Sequence, residues 1–196
     1  EVLAQFKTVY KEGDIKKGRN LLAFEVAKRN VFNFLKSELE TISAGNEIIV
    51  LHLEKASETI LNHPQLPFPI KIAGTVDRIE TFNGKLRIID YKSGKVEKRN
   101  MVLDTWQGLT TELKNDKIIQ VLAYAAMLSD DIPEDGILAG IVSFKNMKSG
   151  FLPFNFKAGK EDNLTIDKTT IAHYTEQLVL LLNEIFDPAI PFTEKD

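Results

Sequence analysis

Asp77, Asp90 and Lys92 lie on two apolar runs, Ile70 to Glu80 and Lys85 to Lys92, which flank Asn83-Gly84. Asn-Gly between two such runs is the preferred two-residue hairpin turn, because both positions tolerate positive φ. If Asn83 and Gly84 form that turn, Phe82 faces Lys85. Asp77 then falls opposite Asp90, and Thr75 opposite Lys92. Asp90 and Lys92 share one face, and Tyr91 points to the other. Directly opposed residues have Cβ atoms roughly 5 Å apart. Two carboxylates so placed repel unless something positive lies between them. A hard divalent cation meets that need, since magnesium takes one or two carboxylates and keeps several waters. With an ammonium beside it, such a site can promote attack of water on a phosphodiester. The plainer alternative is a pair of solvated strand aspartates neutralised by Lys92.

Other elements must hold this hairpin in place. Gly18 to Glu40 reads as a helix with Leu21, Phe24, Val31, Leu35 and Leu39 on one stripe, ended by Gly45-Asn46. Glu47 to Leu53 reads as a strand of uncertain extent toward Leu61, followed by a connection with Pro64, Pro67 and Pro69. Gly94 to Leu113 reads as a polar loop and Lys114 to Leu128 as a helix. Ile137 to Phe144 reads as a strand pairing with Phe151 to Phe156, and Asp167 to Phe186 as a final helix. The order helix, three strands, helix, strand and C-terminal helix predicts a mixed α/β fold in one domain spanning 1–196. Gln120 and Tyr124, four apart, share a face of the second long helix, with Lys117 one turn before. They are polar groups in an apolar run and are either phosphate or ligand contacts, or a solvated Gln beside a core Tyr.

Composition narrows the setting. The chain has 196 residues, a net charge of −3 and no cysteine. Thiolate metal sites and disulfides are excluded within it, and a cytoplasmic location is expected. No apolar run is long enough to span a bilayer, so no membrane partner is expected. The acidic balance weighs mildly against nucleic acid, although a local basic rim such as Lys95, Lys98 and Arg99 can serve. Because the chain starts at Glu1 and ends in a polar tail, a piece of a longer protein is expected. His52 reads as a structural strand histidine, His63 and His173 as surface residues, and Trp106 as a packing residue that can alternatively stack on a base.

The strings Gly74-Thr75-Val76-Asp77-Arg78-Ile79, Ile88-Ile89-Asp90-Tyr91-Lys92-Ser93-Gly94 and Gln120-x-x-x-Tyr124 resemble the PD-(D/E)xK nuclease superfamily, and within it the RecB-like branch. The resemblance implies a restriction-endonuclease-like core, a central mixed sheet flanked by helices. It implies Mg2+ (or Mn2+) bound by Asp77, Asp90 and the backbone carbonyl of Tyr91, with Lys92 as catalytic lysine and Gln120 and Tyr124 as the accessory motif. It also implies DNA as substrate, single-stranded or at duplex ends, exonuclease-type cleavage in recombination and repair, and attached helicase-like domains. Many RecB-like members carry a metal-ligating histidine on the first helix. Here Glu25 is the nearest candidate, with Glu54 a second carboxylate of similar standing. Some relatives flank this core with iron–sulfur cysteines. No such cluster is expected within residues 1–196, which end close to where those cysteines would begin; either they lie beyond this piece or the protein lacks them. A catalytically silent domain that holds DNA or partner subunits is the alternative function.

Overall fold

The computed structural model describes residues 1–9, 14 and 16–192; the last four residues of the expected polar tail lie outside them. The chain divides into two compact units, Glu1–Asn46 and Glu47–Asp196. The first holds α1 (Val2–Val9) and α2 (Gly18–Ser43). α2 follows the expected helix closely and stops where Gly45 takes φ +88°. Phe6 of α1 meets Phe24 of α2 edge-on, with ring centroids 5.3 Å apart. The apolar stripe remains open, however. Val31, Leu35 and Leu39 are all exposed, and neither helix has a buried residue. α1 was not legible as a separate helix, being eight residues long and without a cap signal.

The second unit carries the sheet. β1 (Ile48–Leu61), β2 (Ile70–Phe82), β3 (Lys85–Lys92), β5 (Leu138–Ser143) and β6 (Phe151–Pro153) lie in the order β1-β2-β3-β5-β6. β1–β2, β2–β3 and β5–β6 are antiparallel, whereas β3–β5 is parallel. Between β3 and β5 the chain crosses through α3 (Asp116–Met127). A parallel pair requires such a crossover. α4 (Lys168–Phe186) starts at Asp167, whose side chain accepts the backbone N–H of Thr170 as an N-cap. The result is a mixed sheet flanked by helices, the restriction-endonuclease-like α/β arrangement expected.

α3 turns Ile118, Val121, Leu122 and Ala125 into the core, all essentially without solvent exposure, against Val76, Ile88, Ala139 and Ile141 of the sheet. The stretch 94–113 departs from a polar loop. It forms a short 3-10 turn Lys98–Met101 and β4 (Val102–Leu103), and it buries Val96, Met101, Leu103 and Leu109. These apolar residues are spaced irregularly, so no period marked them. β4 joins β7 (Asn155–Ala158) and β8 (Glu161–Asn163) in a separate three-stranded sheet. The expected strand 151–156 is therefore split between two sheets. Trp106 packs against Phe154, Phe156 and His173, with centroids 6.3, 5.2 and 5.4 Å away, which settles it as a packing residue. His52 is exposed on β1 rather than built into the core.

Gly140 of β5 lies where the neighbouring strand allows no side chain. A Cβ there would stand 2.2 Å from the carbonyl oxygen of Leu152. Main chain meets main chain, so relief requires moving β6. Gly140→Ala should destabilise the chain by on the order of 3 kcal/mol, read as a lowered urea midpoint at unchanged slope. A midpoint equal to wild type would show that β6 is not held against β5.

Candidate active site

The hairpin turn forms as its sequence predicts. Asn83 and Gly84 take φ +50° and +80°, and Phe82 pairs with Lys85. The turn is anchored to β1, since Glu47 N–H donates to Asn83 Oδ1 at 2.8 Å and Asn83 N–H to the Glu47 carbonyl at 3.0 Å. The register then runs through Thr81–Leu86, Glu80–Arg87 and Ile79–Ile88 to Arg78–Ile89, and stops. The expected pairs Asp77–Asp90 and Thr75–Lys92 are not part of the ladder. On its other edge β3 stays paired with β5 from Arg87–Leu138 through to Lys92–Ser143, so past Ile89 only that edge carries a ladder.

A side chain takes over where the ladder ends. The Tyr91 N–H, which a continued ladder would direct to the Val76 carbonyl, donates to Asp77 Oδ2 at 2.8 Å. In an extended strand the N–H and C=O of one residue point to the same side. The Tyr91 carbonyl is thus turned toward Asp77 as well. Asp77 and the Tyr91 main chain thus lie side by side, and the Asp77 charge reaches Asp90. On the other side of β2 the ladder skips one pair without changing register, from Leu53–Arg78 to Lys55–Val76, and Glu54, at the level of Asp77, takes φ +50°. The Glu54 side chain is exposed. Glu25, in the first unit, makes a loose pair with Lys28 at 3.7 Å. Among the described residues no three His, Cys, Asp or Glu form a metal-binding group.

Asp90, Lys92, Gln120 and Tyr124 close into a ring. Lys92 Nζ lies 2.8 Å from Asp90 Oδ2 and donates to Gln120 Oε1 at 2.6 Å. Gln120 Nε2 donates to the Tyr124 hydroxyl at 2.8 Å, and that hydroxyl in turn hydrogen-bonds Asp90. The helical spacing of four thus places two consecutive links of the ring. Gly74 lies beside it, where a Cβ would meet Met127 Cε at 3.4 Å and the Tyr124 ring at 3.7 Å, ordinary contact distances. Asp90 is 2% exposed, and its Oδ2, although close to Lys92, has no hydrogen bond of good geometry.

Burial raises the Asp90 pKa above its ordinary value, and the nearby Asp77 charge adds to the rise. Hydrogen bonds and charge from Lys92, and the bond from Tyr124, counter it only in part. The Tyr124 hydroxyl is also raised, first by burial and then by the two aspartate charges, with Gln120 opposing. A buried carboxylate that its lysine leaves under-compensated, beside a second acid and an inward carbonyl, is a donor set that fits a hard divalent cation.

A family model of the PD-(D/E)XK nuclease superfamily matches residues 9–196. The chain belongs to the PD-(D/E)XK nuclease superfamily. No curated protein matches it. Among solved structures, one described as "Crystal structure of SSO0001" is similar over 96% of this chain and 81% of its own, at 13% identity and a TM-score of 0.31, too slight a likeness to argue from. Among the described residues of this PD-(D/E)XK chain, no helix is long and apolar enough to cross a membrane.

The expected basic rim stays exposed but is partly offset by an acid. Lys95 and Arg99 pair with Glu97 at 2.5 and 2.8 Å, and the two cations, Lys95 foremost, lower the pKa of Glu97. The loop after Lys92 is held from β5. Ser143 Oγ donates to the Gly94 carbonyl at 2.7 Å and accepts the Val96 N–H at 3.1 Å, while Asn146 Nδ2 donates to the Val96 carbonyl at 2.8 Å. Sequence reasoning missed one group altogether, the buried charges Arg78, Glu80 and Arg87 on the reverse face of the hairpin. The register carried the signal, because Glu80 and Arg87 are directly opposed.

The raised Asp90 gives a pH-dependent stability. Between the ordinary value of 3.8 and the raised one, the folded chain keeps a proton that the unfolded chain has released. Stability therefore falls as pH rises through that window. In the presence of chelator, the Tm of Asp90→Asn relative to wild type should climb as pH increases from about 4 and then level off. Parallel Tm profiles for the two proteins would show that Asp90 carries no such cost.

Proposed function

We propose that this chain is a Mg2+- or Mn2+-dependent DNA nuclease, and that its two units work as one catalytic domain. The observation that carries this reading is the convergence of Asp77, Asp90 and the Tyr91 main chain beside Lys92, at the point where β2 and β3 cease to pair. The family match spans both units and supports the single-domain reading. Asp77, Asp90 and the Tyr91 carbonyl would hold the cation, which when bound supplies Lewis-acid stabilisation to the phosphate and lowers the pKa of water.

The chain's own groups do the rest. Lys92 is held between Asp90 and Gln120, so its ammonium is aimed rather than free to sweep. It steadies charge that develops on the phosphate and orients the attacking water. Tyr124 fixes Gln120 and, through Asp90, the opposite end of the same ring. Glu25 is the acid of α2 proposed to complete the ligand set. Its weak exposed pair with Lys28 is easily given up. Exonuclease-type action in recombination and repair, on single strands or duplex ends delivered by attached helicase-like domains, is the biological setting that the RecB-like motifs suggest.

The rival is a silent domain that grips DNA without cutting it. The net charge of −3 and the partial offset of Lys95 and Arg99 by Glu97 favour it. End-labelled duplex and single-stranded DNA, incubated with Mg2+, Mn2+ or chelator, separates the two. Wild type should cleave with either metal and stop with chelator. Asp90→Ala and Lys92→Ala should each cut at least on the order of 10²-fold more slowly. Glu25→Gln should need more metal for half-maximal rate. DNA binding without cleavage under any metal would establish the rival, and undiminished cleavage by both Asp90→Ala and Lys92→Ala would reject the site.

A further inference from the structure

We infer that Arg78, braced by Glu80 and Arg87 on the face of the hairpin away from Lys92, is a positioning residue that tunes the site's affinity for its divalent cation through Tyr91. The inference rests on the nuclease reading above and deepens it.

Tyr91 is gripped on both faces. At the front its N–H is held by Asp77 Oδ2. At the back its hydroxyl accepts from Arg78 Nη1 at 3.2 Å, and its ring stacks on Phe144 with centroids 5.6 Å apart and planes 14° from parallel. Arg78 is the residue next to Asp77, so one buried side chain ties the strand bearing one acid to the residue between the other acid and Lys92. That tie crosses the place where the main-chain ladder has stopped. Without ladder bonds, the relative position of Asp77 and the Tyr91 carbonyl depends on side chains.

Arg78 is itself over-determined. Its guanidinium pairs with Glu80, which is fully buried and also takes Arg87. Arg87 is in turn capped by the rings of Phe82 and Phe151, 4.0 and 5.0 Å from its guanidinium carbon. Buried charges of this kind give little net stability and are costly to break singly. Their use here is geometric, since a planar guanidinium in a fixed fork holds a hydroxyl in one place. Groups that orient ligands typically alter metal affinity 10–100-fold when removed.

Tyr91→Phe deletes the acceptor of the Arg78 bond and keeps the ring that stacks on Phe144. Arg78→Lys keeps a charge against Glu80 and loses the fork. Mn2+ binding to the full chain, followed by the electron spin resonance signal of free Mn2+ well below each variant's Tm, gives a readout independent of cleavage. We expect about tenfold weaker binding for each variant, with cleavage recovering toward the wild-type rate at saturating Mn2+. If Tyr91→Phe does not fold, Arg78→Lys carries the same test. Wild-type affinity in both folded variants, while Asp90→Asn loses binding, would overturn the inference and leave the nuclease reading intact. Failure of the wild type itself to bind Mn2+ would overturn both.

Discussion

The site depends on a main-chain ladder that ends early. β2 and β3 pair from Phe82–Lys85 to Arg78–Ile89 and then part, and Asp77 lends a carboxylate oxygen to the Tyr91 N–H that would otherwise have met a backbone carbonyl. A buried N–H left without a partner is costly, so the break is tolerable only because a side chain fills the vacancy. The same substitution turns an acid toward the strand that carries the second acid and the lysine. Had the ladder continued, backbone would occupy the space and the carboxylates would stand on an ordinary sheet face.

What keeps the two strands in register past the break is packing on either side of them. β5 pairs with Asp90, Tyr91 and Lys92 and, through Ser143 and through Asn146 in the turn just after it, holds the loop that follows. α3 lies across Val76 and Ile88 and brings Gln120 and Tyr124 to Lys92 and Asp90. Each face of the hairpin therefore has its own polar network. The front one is strained electrostatically, since burial opposes the Asp90 charge more than Lys92 and Tyr124 relieve it. The back one balances a single buried glutamate between two arginines. The asymmetry leaves the under-compensated charge of Asp90 on the front face and the braced arginines on the back.

Much of this was legible in particular residues. Asn83-Gly84 predicts the turn, and with it five cross-strand pairs, because the conformational demands of a two-residue loop leave few residue types and one register. Gln120 and Tyr124 share a helix face by spacing alone, and Asp167 announces the start of α4 by its capping chemistry. The segment 94–113 was misread because scattered apolar residues without a period look like loop, although they are core once the second sheet forms. The apolar stripe of α2 was legible from its spacing, but Val31, Leu35 and Leu39 on it are exposed, since periodicity records which face is apolar and not what meets it.

The linear order of residues by itself determined the family strings, the hairpin and the shared face of Asp90 and Lys92, because each follows from local geometry with a period of two or 3.6. Tertiary structure decided where the β2–β3 ladder ends, that Asp77 bonds the Tyr91 backbone, and that Arg78 reaches the hydroxyl of that same residue. Those outcomes depend on how β2 and β5 settle on the two edges of β3, on the left-handed backbone of Glu54 beside β2, and on how α3 packs over the sheet. Each is set by partners distant in the chain, and no local pattern records it.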